Sequence, residues 1–364
     1  MHWEVNLEHF LQMVLQEILA MPEERPLPLK NSKKCLRCSL HDVCLPDETW
    51  TLQDHKEEIK MPRKIIAARY DRSILHITDS RAKIGVSGDN IRVIDASGKV
   101  SEFHLKDVLS VSIYGNAQIS TQAVTSCLSS DIPIVYLGSS GRLKGIIQPF
   151  SGKNLDYRIQ QYKQFEKGNP ILAAATVAAK IANQRTFLRR NSELDDSYFS
   201  DLKNLTEKAE SCTQNESLLG YEGSAARIYY GQFSEMIIEN FRGFFHISGR
   251  NRRPPKDPIN ALLSFAYTML ARDATIACVA AGLDPNYGFF HTKEKGRPSL
   301  ALDLMEPFRS IIADSAVVRA INTGMIQADD FESTPAGTIM KERAKKGIIR
   351  AYEARANTEI THPK

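Results

Sequence analysis

Apolar positions change their spacing twice along this chain, and each change marks a different kind of structure. Between Val5 and Leu19, the residues Leu7, Phe10, Leu11, Val14, Leu15, Ile18 and Leu19 recur at three- and four-residue intervals, which gathers them on one stripe of an amphipathic helix. Pro22, Pro26 and Pro28 end it, and Cys35, Cys38 and Cys44 follow before a charged linker near Lys56 to Lys60. From Ile65 to Gln148 the pattern shortens to β-branched runs, ILHIT, IRVID, VLSVSIYG, IPIVYLG and GIIQP, separated by Gly, Asp, Asn and Ser. SGDN at 87–90 and ASGK at 96–99 predict turns, and 120–130 predicts one short helix among the strands. Beyond Asp156 the runs lengthen to helical period, as in RIQQYKQFEKGNPILAAATVAAKIANQRTFLRR, AARIYYGQFSEMIIENF and DPINALLSFAYTMLARDATIACVAAG. Asp257 directly before Pro258 predicts an N-cap with proline at the first helical position.

The expected fold is therefore α+β and multidomain. A short helical cysteine-bearing segment with its linker (1–61) precedes a β-rich domain (62–150), and a mainly helical domain (151–364) follows. No internal repeat or low-complexity tract interrupts this order. At 364 residues the chain is long enough for two or three domains with cores of their own, and 42% hydrophobic against 25% charged residues argues against global disorder. No apolar run approaches the roughly 20 residues that cross a bilayer. The first 20 residues carry acids and lack a basic region before an apolar stretch, so they do not read as a secretory signal. Six cysteines in such a chain point to a reducing cytoplasm, with thiols as ligands or core residues and no membrane partner. Cys127 and Cys278, among apolar neighbours, are expected in the core; Cys212 stands alone.

A net charge of +4 is a weak argument for nucleic acid, and the distribution says more. Basic residues cluster at Arg242 to Lys256, including Arg252 and Arg253, and again at Lys341 to Arg355. Each cluster suits a phosphate backbone or a solvated surface.

The chemistry points to the helical half. Asn286-Tyr-Gly-Phe-Phe-His291 leads into Lys293, Lys295 and Arg297, and then into SLALDLMEPFRS with Asp303 and Glu306. Three apart on a helix, these two acids project from nearly one face, beside Leu300, Leu302, Leu304 and Met305. Burying them without partners costs at least several kcal/mol. A divalent ion would remove that cost, since hard cations take carboxylate oxygen and Mn2+ also accepts an imidazole. Glu222, set among small and apolar residues in LLGYEGSAARIYYGQF near the start of a helix, supplies a further acid. The alternatives are a solvated face, a structural histidine, or a pairing of Asp303 with Arg309, and spacing does not choose among them.

These segments resemble, in the same order, the hallmark blocks of the Cas-one integrase family of CRISPR systems. LLGYEGSAARIYYGQF is similar to the block with the first acidic ligand, NRRPPKDPINALLSFAYTML to the long helix after it, and NYGFFHTKEKGRPSLALDLMEPFRS to the block with the histidine and final acids. The resemblance spans residues 62 to about 356. It implies a β-rich domain followed by a helical catalytic domain, and a Mg2+ or Mn2+ ion held by Glu222, His291 and Glu306, with Asp303 as a supporting or alternative ligand. The implied reaction is attack by a 3′-hydroxyl of a DNA fragment on a phosphodiester at the leader-repeat edge of a CRISPR array. Lys293, Lys295, Arg297, Arg252 and Arg253 would hold DNA phosphates, in a homodimer bridged to another by a dimer of a Cas-two protein.

Cys35, Cys38 and Cys44 form C-x2-C-x5-C, and KNSKKCLRCSLHDVCLPDE resembles the carboxy-terminal end of Cas-four proteins, over about residues 5 to 48. In that family such cysteines join a distant fourth around an iron–sulfur cluster, and the nuclease core of that family has no counterpart here. His41 could instead complete a zinc site, or the thiols stay free. The resemblance implies a chain of the Cas-four/Cas-one fusion type, with a Cas-four nuclease as a further partner. Two other functions remain open at this point: a metal-dependent endonuclease or resolvase on branched DNA, and a non-catalytic scaffold that only binds duplex.

Overall fold

Among the described residues, the β-rich half builds two four-stranded sheets from eight strands. The computed structural model describes residues 72–149, 155–166, 168–251, 254–291, 297–335 and 337–358, all within one compact unit. In chain order the half contains β1 (Ser73–Ile77), β2 (Lys83–Ser87), β3 (Asn90–Ile94), β4 (Val100–His104), β5 (Val108–Tyr114), β6 (Gln118–Ile119), helix α1 (Thr121–Ser129), β7 (Ile134–Leu137) and β8 (Leu143–Ile147). One sheet runs β4-β3-β2-β6 and the other β1-β5-β7-β8. The predicted turns close the hairpins of the first: Ser87 pairs with Asn90 across Gly88 (φ +57°), and Gly98 (φ +85°) lies in the turn between β3 and β4. Helix α1 has the predicted limits, with Ser120 Oγ accepting from the Ala123 N–H at its start.

Period-two alternation gives β5 and β7 two jobs. Val111, Ile113 and Ile134 face a core shared with Ile77, Ile84, Ile91, Val93 and the buried thiol of Cys127. Their neighbours Tyr114, Val135 and Leu137 point the other way, into the core of the helical half.

That half contains α2 (Leu155–Glu166), α3 (Pro170–Asn191), α4 (Asp196–Glu210), α5 (Asn215–Gly231), the single turn α6 (Glu239–Arg242), α7 (Pro258–Ala280), α8 (Ser299–Met305), α9 (Ser315–Asn322), a hairpin β9 (Phe331–Thr334) and β10 (Gly337–Met340), and α10 (Glu342–Ala356). The long predicted run at 158–190 is divided into α2 and α3 by Gly168-Asn169-Pro170, with Asn169 capping α3. Asp257 caps α7 as expected, its Oδ1 accepting from the Asn260 N–H at 2.7 Å.

Helix α7 corrects one expectation. By length and composition it is apolar enough to cross a bilayer, because only Arg272 and Asp273 interrupt 23 residues. It serves instead as the central core helix, with Leu262, Leu263, Phe265, Ala266, Met269 and Cys278 buried. Where α7 meets the sheet, the fully buried Arg272 guanidinium pairs with Asp273 (2.8 Å) and Glu353 (3.4 Å) and donates to Ser112 Oγ (3.3 Å). On β1, His76 meets Glu353 (3.0 Å) and the Tyr114 hydroxyl (3.1 Å). Polar groups from both halves thus satisfy one another inside a joint that would otherwise strand them.

Candidate active site

Helix α7 stops at Ala280, and Gly282 (φ +79°) takes the left-handed conformation that turns the chain back. The residues from there to His291 form no helix or strand, so other groups must hold them. Gln161 of α2 does so: its amide donates to the Asp284 and Tyr287 carbonyls (2.8 and 2.9 Å) and accepts from the Asp284 N–H (2.9 Å). Gly288 then passes so close to α8 that a Cβ there would lie 2.5 Å from Asp303 Oδ2 and 2.7 Å from the Ser299 carbonyl carbon. Only glycine permits this approach.

The approach delivers four donors to one carboxylate. Asp303, wholly buried, accepts from the N–H groups of Phe289 (2.7 Å) and Phe290 (2.9 Å) through Oδ2. Its Oδ1 takes the His291 N–H (2.9 Å) and lies 2.5 Å from His291 Nδ1. Both oxygens are committed, so the burial cost foreseen for this acid is met by the protein itself. A carboxylate against Nδ1 makes that nitrogen the protonated one in the neutral ring and leaves the Nε2 lone pair open. The His291 side chain is 20% exposed.

One turn along, Glu306 closes α8 and faces a second set of partners. Arg309 Nη1 donates to both of its oxygens at 3.0 Å, so it is Glu306, not Asp303, that holds this arginine. Lys180 Nζ of α3 lies 2.6 Å from Glu306 Oε2 and also donates to Glu222 Oε1, in the middle of α5. One ammonium therefore joins the acids that the resemblance implied from two separate blocks. Two carboxylates, an ammonium and a guanidinium balance in charge, which lets Lys180, Glu306 and Arg309 lie almost fully buried. Burial pushes the Glu306 carboxyl upward, but Arg309 and Lys180 overcome this and hold it well below the usual carboxylate range. Burial likewise opposes the Lys180 ammonium, and Glu306 with Glu222 outweighs it, so its pKa lies above the ordinary lysine value.

Behind this quartet the chain narrows into a 3-10 turn at Glu306–Phe308 and widens into a π-helical turn at Arg309–Asp314. The Arg309 guanidinium stacks 4.0 Å from the Tyr267 ring centroid. Tyr267 and Tyr229 donate their hydroxyls to the buried Asp314 (2.5 and 2.8 Å). Burial lifts the Asp314 carboxyl to about 6, against the pull of those two donors and Arg309.

Among the described residues, no group of three or more His, Cys, Asp and Glu side chains is placed to hold a metal ion. The donor chemistry nevertheless fits one. Glu222 and Glu306 already turn oxygens toward one cation, and His291 keeps a free imidazole nitrogen. What occupies the shared lone pairs is Lys180, a base where the ligand chemistry points to acids. Its signal was in the sequence all the same: a single charge inside ATVAAKIAN, among residues too small to cover it.

Of the proposed phosphate-holding residues, Arg297 is half-buried two residues before α8, and Arg252, Arg253, Lys293 and Lys295 lie outside the described residues, as do Cys35, Cys38, Cys44 and His41. In the first basic cluster, Arg242 is spent on Glu235 (2.8 Å) and the Ile237 carbonyl (2.6 Å), and Arg250 on Asn260 and Ser264 of α7. In the second, Arg355 donates to the Ile311 carbonyl (2.7 Å), while Lys346 and Arg350 face solvent. Arg242, Arg250 and Arg355 thus hold the protein's own chain.

Comparison with known proteins adds an independent finding. Residues 75–354 match the family described as CRISPR associated protein Cas1, the Cas-one family of the resemblance above. A CRISPR-associated exonuclease Cas4/endonuclease Cas1 fusion from Geobacter sulfurreducens is 40% identical over 355 residues, covering 94% of this chain and 63% of the relative. The chain thus spans less than two thirds of that relative's length. A CRISPR-associated endonuclease Cas1 from Thermus thermophilus is 35% identical over 80% of this chain and 86% of its own. Among solved structures, a Cas6-RT-Cas1–Cas2 complex contains a chain 25% identical to this one, with a TM-score of 0.66, covering 87% of this chain and 35% of that one.

Proposed function

Because the chain belongs to the Cas1 family of CRISPR-associated proteins, we propose that it is an integrase of CRISPR adaptation, joining the 3′-hydroxyl of a DNA fragment to a repeat-edge phosphodiester. The fragment's 3′ hydroxyl gives up its proton and its oxygen bonds to phosphorus, as the 3′ oxygen of the nucleotide flanking the repeat leaves with a proton and the repeat keeps its 5′ phosphate. One observation carries the reading: two carboxylates from separate helices converge on a single cation, one helical turn from a carboxylate that aims an imidazole.

Glu222, Glu306 and His291 Nε2 would hold a Mg2+ or Mn2+ ion. When bound, such an ion lowers the pKa of the attacking hydroxyl and offsets charge on the phosphate and the leaving oxygen. Asp303 keeps the imidazole aimed, and Arg309 keeps Glu306 ionised. Arg297 and its basic neighbours Lys293 and Lys295 lie next in sequence to His291, which supports a role in gripping the strand. The partners proposed are DNA, a second copy of the chain, a Cas2 dimer and a Cas4 nuclease, in the cytoplasm. The solved complex joins a Cas1 to Cas2, and the Geobacter relative's name joins Cas4 to Cas1.

The test incubates the protein and its Cas2 partner with a fragment bearing free 3′ ends, a leader-repeat plasmid, and Mn2+ or Mg2+. Glu222→Ala and His291→Ala should lower joining on the order of 1,000-fold, equivalent to ~4 kcal/mol of barrier. Their DNA affinity should stay within about threefold of the unaltered chain, since phosphate contacts dominate it. Cleavage of branched DNA without joining would turn the reading to a resolvase. Salt-sensitive binding without any product would leave a scaffold.

A further inference from the structure

Lys180 is the group at this site that no role yet accounts for. It projects from an alanine-rich turn of α3, with a side chain 6% exposed, and its Nζ touches Glu222 and Glu306 together. A divalent ion taking oxygen at about 2.0–2.2 Å needs the same lone pairs. With Arg309 already on Glu306, ion and ammonium together would leave the pocket with surplus positive charge at close range. One cation must leave. Arg309 is fixed by a two-point contact with Glu306 and by stacking on Tyr267. Lys180 has a flexible four-carbon stem and a compact charge. It also has an exit, because the Glu222 side chain is 18% exposed against 4% for Glu306, so the pocket opens on the Glu222 side.

We propose that Lys180 is a built-in placeholder cation: it holds Glu222 and Glu306 face to face in the metal-free protein and swings out past Glu222, still charged, when a divalent ion takes its place. The proposal rests on the metal reading above and adds to it a positioning residue. One consequence separates it from a merely structural salt bridge: the ion competes with Lys180 for the same carboxylate oxygens. A structural bridge predicts that removing Lys180 weakens the site for every ligand; a placeholder predicts that metal binding tightens.

The experiment titrates Mn2+ into the full chain at fixed pH and salt, following free Mn2+ by electron paramagnetic resonance, for the unaltered protein, Lys180→Met, Lys180→Arg and Glu306→Gln. Lys180→Met should bind Mn2+ at least about tenfold more tightly, since no competing cation must be displaced, and should gain more thermal stability from saturating Mn2+ than the unaltered chain. Lys180→Arg should stay near or below the unaltered affinity. Equal or weaker binding by Lys180→Met overturns the proposal. Should Lys180→Met fail to fold without metal, the unaltered protein decides. Acylation of Lys180 by an amine reagent, read by peptide mass spectrometry, should speed up several-fold when Mn2+ is bound. Unchanged protection with Mn2+ demonstrably bound overturns the proposal just as well. If the unaltered chain binds no Mn2+ that Glu306→Gln abolishes, the metal reading itself fails and the placeholder falls with it, an outcome distinct from binding without displacement.

Discussion

Replacing Asp303 by asparagine tests how the histidine is held. The carboxylate accepts two N–H groups on each oxygen, at 2.5–2.9 Å. An asparagine presents one acceptor oxygen, and its amino group must face either the Phe289 and Phe290 amides or the backbone and ring nitrogens of His291. With its amino group toward Phe289 and Phe290 two hydrogen bonds are lost and donors face donors; toward His291 the backbone bond is lost and the ring must take the other tautomer to accept at Nδ1. At ~1.5–3 kcal/mol for each bond to a charged acceptor, the expected loss is ~2–6 kcal/mol, a large share of a domain's stability. Urea denaturation should show the lower midpoint, and hydrogen exchange should speed up at the amides of residues 289–291 before it does in α7. With the ring no longer oriented, Mn2+ affinity should fall ~10–100-fold. A midpoint change worth less than ~1 kcal/mol, with those amides still protected, would refute this account. If affinity alone collapsed, Asp303 would be a ligand in its own right.

Gly288→Ala probes the same joint from the other side. A Cβ 2.5 Å from Asp303 Oδ2 forces the loop off α8, so stability should drop by ~1–3 kcal/mol and strand joining should fall with it, checked by thermal melting and the joining assay. Asp314→Asn addresses pH. The folded carboxyl keeps its proton to about 6 against 3.8 for its ordinary value, so the folded chain binds more protons between these limits and its stability falls as pH rises through them. The asparagine variant lacks this slope, and the unaltered protein should lose up to ~3 kcal/mol relative to it between pH 4 and 7; parallel stability curves would refute the assignment.

Sequence patterning located what is local and missed what is not. VLSVSIY, a β-branched run with small serines and no charge, is legible as a strand, and the absence of charge fits β5, which is buried on both faces against different cores. KIGVS and VSEFH carry a weaker strand signal: Gly85 breaks the first, and the second is an edge strand whose side chains largely face water. The hairpin of β9 and β10, inside a stretch of helical texture, is held by pairing across Pro335 that no periodicity reports. At the site, Glu222 and Glu306 stood out as acids in apolar company, and the family resemblance grouped them with His291. That both meet Lys180 is a tertiary contact among α3, α5 and α8. The burial of the acids was foreseen, but the partners that meet its cost were not. Amides and an imidazole serve Asp303, and an ammonium and a guanidinium serve Glu306.

Arg272 bears on how chains of this kind can be recombined. Its guanidinium has no water to fall back on and draws its partners from three places: Ser112 on the sheet, its own helix, and Glu353 near the end of the described chain. A chimera that took its strands from a relative lacking a hydroxyl at 112 or a histidine at 76 would keep the arginine and lose those partners. Such grafts should succeed only when positions 76, 112, 114, 272, 273 and 353 travel as a set, whatever the overall identity of the parents.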